Sequence, residues 1–339
     1  MITKRERIKV TALVLVILPI AVCFVSICFG RYAISPEMGL NILISRIFPF
    51  EPTWSGIEEL VVLKIRLPRV LLAMIVGSGL AVAGASFQGL FRNPLVSSDI
   101  LGVSSGAGFG ACLGILLSGK TIVVQSLAFA FGIIAVMGTY GASRRRTGTS
   151  LLILVLVGVI IGSFFSALIG LVKYVADPED QLPTIVYWLM GSMAGASYKD
   201  LAWGAPPIIL GTSVLLLLRW KINILSLGEE EAQSLGINTK WFKGVVILAA
   251  TIITAASVSL CGIIGWIGLV IPHITRMLVG PNHKHLLPAC VSVGGLSLLV
   301  IDDMARVAMA GEIPLSILTA IIGAPFFIYL LRKTGGAWS

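Results

Sequence analysis

Ser226–Gly236 reads S-L-G-E-E-E-A-Q-S-L-G, the longest clearly water-loving interruption in the second half of an otherwise apolar chain. Gly228 breaks the chain ahead of it, and Glu229, Glu230 and Glu231 stand where the amino-terminal end of a helix favours negative charge. Ala232, Gln233 and Leu235 are good helix formers, and Gly236 stands where a C-terminal cap belongs. The pattern predicts a short capped helix. Between two membrane spans it would be either a knob for a soluble partner to grip or a solvated connector. The flanking sequence decides.

Of 339 residues, 57% are hydrophobic and only 12% charged. A water-soluble domain has about 25% charged residues. With a mean hydropathy of +0.98, such a chain cannot cover its surface with polar groups, so a bilayer must be its solvent. A spanning helix needs roughly 20 apolar residues, which leaves room for about ten spans and for no soluble catalytic domain. The net charge of +9 does not point to nucleic acid, because Lys and Arg cluster at span ends and form no basic face with interleaved aromatics. The five cysteines lie in or beside apolar runs and form no C-x-x-C pair, so they read as small packing residues.

Lys4, Arg5, Arg7 and Lys9 precede an apolar run over 10–29, too long for a signal-peptide core, which reads as a first span entered from the cytosol. A polar stretch over 31–64 follows. Further spans are predicted over 66–90, 100–117, 122–140, 151–175, 201–218, 245–260, 263–279, 286–309 and 315–331. The half-apolar segment 176–199 is too short to cross and predicts an interfacial or re-entrant helix. On this topology the inside segments hold 16 of the 25 basic and 5 of the 16 acidic residues, the asymmetry that the positive-inside rule demands. The expectation is an all-α, polytopic membrane domain of ten transmembrane helices in the cell membrane, with both termini cytoplasmic.

Small residues recur every fourth position at Gly77, Ala81, Ala85 and Gly89, and again at Gly102, Gly106, Gly110 and Gly114. Such rows let helix backbones approach closely in lipid. A-G-A-S-F-Q-G-L-F-R-N-P-L, from Ala83, echoes A-A-S-V-S-L-C-G-I-I-G-W-I-G-L-V-I-P, from Ala255. The two lie on opposite sides of the membrane, which suggests an inverted internal repeat.

Gly114 to Thr121 satisfies the phosphate-loop pattern, but in an outside turn with no preceding strand the match is coincidental. His283 and His285 read as solvated turn residues, with no metal framework around them. Asp302 and Asp303 could form a cation or proton site, or an interfacial charge cluster with Arg306. Arg66 and Arg69 carry positive charge on the outer side, against the topology rule. A partner rich in carboxylates would explain them, and so would snorkelling to lipid headgroups. No H-E-x-x-H, G-x-S-x-G or Cys/His nucleophile arrangement is present.

R-L-P-R-V-L-L-A, G-A-S-F-Q-G-L-F-R-N-P-L, L-G-V-S-S-G-A-G, G-W-I-G-L-V-I-P-H-I-T-R and T-A-I-I-G-A-P-F-F-I-Y-L-L occur in this order between Lys64 and Lys333. Together with the G-x-x-x-x-x-L-G-I of the knob, they resemble the FecCD-type permeases of type II ABC importers. The resemblance implies a vitamin B12 permease-like fold of ten helices and a homodimer or a pair with a close relative. It also implies two ATP-binding cassette subunits inside, which bind the ATP and Mg²⁺, and a substrate-binding protein outside. This chain would need no cofactor and would be no enzyme.

By the same resemblance, Glu229, Glu230, Glu231, Ala232, Leu235 and Gly236 form the coupling helix, with Gln233 replacing an alanine of the family signature. Asn93, Leu95, Thr149 and Ser150 would be the cytoplasmic gate, and Arg66, Arg69 and Arg306 would dock the binding protein. Gly158, Gly162, Ser163, Ser166 and Gly170, facing Thr319 and Gly323, would line the pathway at the dimer axis. Small uncharged walls suit a bulky metal chelate (an iron-siderophore, haem or a corrinoid), and molybdate-type oxyanions stay among the candidates. The competing expectation is a secondary transporter driven by an ion gradient through Asp302 and Asp303.

Overall fold

The computed structural model of the chain describes residues 4–48, 52–143, 151–309 and 311–334, and among them every regular element is helical. The chain opens with α1 (Lys4–Cys28). The polar stretch that follows is not structureless. Ser35 caps α2 (Pro36–Ile44) by accepting the Met38 N–H at 3.3 Å. A reciprocal capping box between Ser55 and Glu58 starts α3 (Gly56–Leu60). One π turn, Val61–Arg66, then carries α3 without a break into α4 (Leu67–Phe91). The second span therefore begins some ten residues ahead of the expected Arg66. Pro68 has no N–H to give, and the ladder slips to a wider turn just before it, Leu67 N–H bonding to Val62 O.

After a 3₁₀ turn at Ser98–Leu101 come α5 (Val103–Leu117), α6 (Thr121–Ser143), α7 (Leu151–Val175) and α8 (Gln181–Leu189). The second half comprises α9 (Tyr198–Leu225), α10 (Glu229–Ser234), α11 (Thr239–Cys261), α12 (Ile267–Val279), α13 (His283–Val307) and α14 (Leu315–Thr334). Six continuous helices, Gly56–Phe91, α6, α7, α9, α11 and α13, are long and apolar enough to cross a membrane. Shorter apolar helices over Leu13–Cys28, Val103–Leu117, Ile267–Val279 and Leu315–Leu330 supply the other four predicted segments. α8 occupies the segment expected to hold an interfacial or re-entrant helix.

The centre of the bundle is α4, buried on nearly every side from Pro68 to Leu90. A helix apolar all round belongs in an interior, and small residues let its neighbours close in. Gly77 and Ala81 lie directly against Gly294 of α13, and Gly89 meets the His283 ring of the same helix. The fourfold row thus runs along α13, with Ile222 of α9 also meeting it at Gly89. Gly84 points elsewhere, onto the Gly268 backbone of α12, and Gly79 meets Ile208 of α9 and Ile253 of α11. Along α5, Gly106, Gly110 and Gly114 seat α6 at Phe131, Leu127 and Val124, whereas Gly102 faces Gly158 and Gly162 of α7. Gly114 of the phosphate-loop pattern is therefore a helix-packing residue.

The sequence echo has a structural counterpart. Among the described residues, the non-glycine residues with positive φ are Arg92 (φ 51°) and Trp266 (φ 69°). Arg92 interrupts the chain between α4 and α5, and Trp266 interrupts it between α11 and α12. Each of these residues thus stands at the connection between a long helix and a shorter one.

Candidate functional site

At the expected knob, α10 sits on α9 and α11 through Ala232, which is fully buried. Glu229 turns back toward the bundle. Its carboxylate accepts Lys243 Nζ at 2.5 Å and Thr239 Oγ1 at 3.1 Å. The Lys243 hydrogen bond is the main reason that its pKa lies below the usual carboxylate range. Glu230, Glu231, Leu235 and Gly236 face outward, and Gly236 takes the left-handed φ of +77° that ends the helix. Three large apolar side chains crown the same feature, with Leu227 and Leu235 each 64% exposed and Trp241 65%.

The turn after α4 carries two of the expected gate residues. Asn93 and Leu95 are exposed, and Asn93 Oδ1 accepts the Leu95 N–H at 2.9 Å, which folds the turn on itself. Thr149 and Ser150 lie outside the described residues. The structure also shows what braces the turn, which the sequence reading missed. His273 Nε2 is 2.8 Å from Pro94 O. Arg276 donates to Gln88 Oε1 at 3.0 Å, and Gln88 Nε2 donates to Leu269 O at 3.2 Å. A polar Gln in an apolar span and a His beside Pro272 were the available signals. His283, expected in solvent, is buried beneath Gly89 because the close α4–α13 seam covers it, whereas His285 is exposed.

The expected pathway set divides. Ser163, Ser166 and Gly170 lie on an open face of α7, the two hydroxyls bonded back to Val159 O and Gly162 O at 2.9 Å each. Gly158 is buried against Ile100, and Gly162 is half-buried beside Gly102. On α14, Thr319 is buried and Gly323 packs on the Trp266 ring. In this chain these four make helix contacts, since a glycine that lets a ligand approach lets a helix approach as well.

The three arginines expected at a docking face turn into the bundle. Arg66 donates from Nη1 to Ile27 O and Cys28 O, both at 2.9 Å, and from Nη2 to Tyr32 O at 2.5 Å. It caps the C-terminal end of α1, where a cation complements the helix dipole. Arg69 donates two hydrogen bonds to the Asp302 carboxylate, from Nε and Nη2, and two to Glu312, from Nη1 and Nη2, all at 2.8 Å. Glu312, between α13 and α14, is held below the usual carboxylate range by that Arg69 hydrogen bond. Arg306 donates to Ser26 Oγ at 2.9 Å and pairs with Asp303, whose carboxylate also accepts Ser26 Oγ at 2.6 Å. All three guanidinium groups are buried and engaged within the chain, because each has a carbonyl or carboxylate from a distant helix above it. Asp302 is fully buried in the same pairs, which fits the charge-cluster reading of these acids better than an exchangeable ion site.

Comparison with known proteins agrees with this architecture. The profile described as the FecCD transport family matches residues 16–333. The molybdate import system permease protein MolB of Haemophilus influenzae is 41% identical over 327 residues, covering 95% of this chain and 96% of that protein. The cobalamin import system permease protein BtuC of Halobacterium salinarum is 40% identical over 285 residues, covering 83% and 76%. A solved structure described as an inward-facing conformation of a metal-chelate type ABC transporter superposes with a TM-score of 0.86 at 39% identity, covering 96% of this chain and 99% of that one. With the family profile matching residues 16–333 and relatives about 40% identical along most of the sequence, the chain belongs to the FecCD transport family.

Proposed function

We propose that this chain is the permease subunit of a type II ABC importer that moves a metal chelate (an iron-siderophore, haem or a corrinoid) inward across the cell membrane, with both termini cytoplasmic. The observation that carries the reading is the knob. Leu227 and Leu235 flank α10 and Trp241 stands in the first turn of α11, each more than 60% exposed, with α10 anchored between them by buried Ala232, and exposed apolar clusters of this kind belong to protein interfaces. The partner is an ATP-binding cassette subunit, one for each of two permease copies, which binds ATP and Mg²⁺. This chain conducts and does not catalyse. Closure of the ATPase pair pulls on α10, and the motion passes through α9 and α11 to the turn at Asn93 and Leu95.

An extracytoplasmic binding protein delivers the substrate. Buried Arg66, Arg69 and Arg306 support the outer loops from beneath, and they shape that docking surface without contributing charge to it. The open face of α7, with Ser163, Ser166 and Gly170, offers small neutral groups that guide a bulky chelate without holding it. Relatives named for molybdate and for cobalamin support a pathway whose selectivity resides largely in the delivery protein.

The test is uptake by proteoliposomes containing the chain, with and without its ATPase and binding protein, using ferric siderophore, haem, cobalamin and molybdate as probes. Uptake of one probe that requires ATP inside is expected. Uptake driven by a proton or Na⁺ gradient alone would overturn the reading in favour of a secondary transporter.

A further inference from the structure

His273 lies 179 residues from Pro94 in sequence, yet it reaches the gate turn directly, with Nε2 2.8 Å from the Pro94 carbonyl oxygen. A carbonyl oxygen can only accept, so the proton of the neutral ring sits on Nε2, and the Nδ1 lone pair faces Arg276 Nη1 at 3.5 Å. Arg276 continues the chain to Gln88, and Gln88 to Leu269 O. The last turn of α4, the turn after it and α12 are thereby tied by one polar thread inside an apolar bundle, where polar groups rarely stay without a role. The ring also stacks, tilted by 60°, on Phe327 of α14 with centroids 5.6 Å apart. Phe327 in turn meets Trp266 edge-on at 6.4 Å, at the strained break that begins α12.

We infer that His273 is the positioning residue of the cytoplasmic gate. Its Nε2–H holds the Pro94 carbonyl, and with it Leu95, in register with α12, while its stacking on Phe327 makes that register follow the inner end of α14. This inference rests on the permease reading above, in which Leu95 belongs to the gate. It adds a residue that neither touches the substrate nor lies in the gate turn. Loss of one net hydrogen bond shifts a two-state equilibrium by roughly fivefold, enough to decide whether the turn follows α12 and α14 or moves independently of them.

The test uses the assembled complex of permease and ATPase in nanodiscs, with Leu95→Cys probed by a membrane-impermeant maleimide. Labelling rates are compared without nucleotide and after trapping with ATP and vanadate. The parent is expected to change its rate by about tenfold between the two states. His273→Phe keeps a ring for Phe327 but loses the hydrogen bond, and the change should fall to less than about twofold. His273→Gln, whose amide can donate to Pro94 O, should restore most of it. Complex assembly and basal ATPase activity should stay at the parental level in both variants. A His273→Phe complex that keeps the parental change would overturn the assignment. If that variant does not assemble, Arg276→Met is judged by the same readout, a lost change supporting the role and a parental one sinking it. An unchanging parent would refute the gate assignment of Leu95 itself, and the inference with it.

Discussion

Charge stands at both ends of this molecule, and the two ends use it in opposite ways. At the end expected to face outward, Arg69 and Asp302 bond at 2.8 Å with side chains only 6% and 0% exposed. At the opposite end, around α10, Glu229 and Lys243 bond at 2.5 Å with the glutamate side chain 50% exposed, and Glu230 and Glu231 beside it are open to solvent. The outer cluster closes the ends of α1, α4 and α13 on one another. The inner cluster trims a surface whose apolar crown is left uncovered. A charged residue at a span end therefore says little about docking until its burial is known.

The largest effect should come from breaking the sealed end. Asp302→Ala takes one of its two carboxylates from the buried Arg69 guanidinium and a longer 3.8 Å ion pair from Arg306, and breaking a buried pair at one partner destabilises by up to about 3–5 kcal/mol. Thermal unfolding of the purified chain in detergent should show a drop of many degrees. Replacing Arg69 and Asp302 together by leucine removes the pair as a unit and should recover most of the loss. If the single variant unfolds at the parental temperature, the outer cluster is not a structural closure, and presentation to a docking partner regains its force.

The open end should behave in the reverse manner. Leu235→Asp removes an apolar side chain that is already 64% exposed, so the melting temperature should move little. Interface anchors of this type are worth on the order of 1–2 kcal/mol in binding, so affinity for the ATPase subunit should fall about tenfold. Titration of the labelled ATPase against the permease in nanodiscs reads that number directly. Parental affinity would show that the crown of Leu227, Leu235 and Trp241 serves another purpose.

The membrane fold was largely legible in the sequence because its rules act locally. A span needs its own apolar residues, a cap needs its own Ser or Gly, and the row from Gly77 to Gly89 shows its period within one helix. At the candidate sites, local structure was legible where it is set by neighbours in sequence, as in the short helix of Glu229–Ser234 and the Asn93–Leu95 turn. Arg69 meets Asp302 across 233 residues and Gln88 meets Arg276 across 188, and no short window carries such a pairing. Facing was equally hidden. Gly158 and Gly170 share α7, but one lies under Ile100 and the other on the open face, a distinction set by the neighbouring helices and not by the glycines.

The smallest effect sharpens the contrast most finely, through pH. Glu229 and Glu312 both have depressed folded-state pKa values, through hydrogen bonds from Lys243 and Arg69 respectively. A group depressed in this way stabilises the fold above its unfolded pKa, about 4.3 for Glu. That contribution is lost as pH falls through the lower, folded value. Neutral or alkaline pH should leave both contributions intact, and both should fade below about pH 4. They should not fade equally. The half-exposed Glu229 pair is screened and is worth about 0.2–1 kcal/mol at most, so Glu229→Gln should barely alter unfolding at pH 7. The Glu312 side chain is 26% exposed and is bound to a buried guanidinium, so Glu312→Gln should shift it more and should flatten the acid limb of the stability profile. Unfolding midpoints of the two variants from pH 3 to pH 8 test the order. If Glu229→Gln proved the more damaging, the knob would be a rigid structural element, and the division between a sealed outer end and an open inner one would fail.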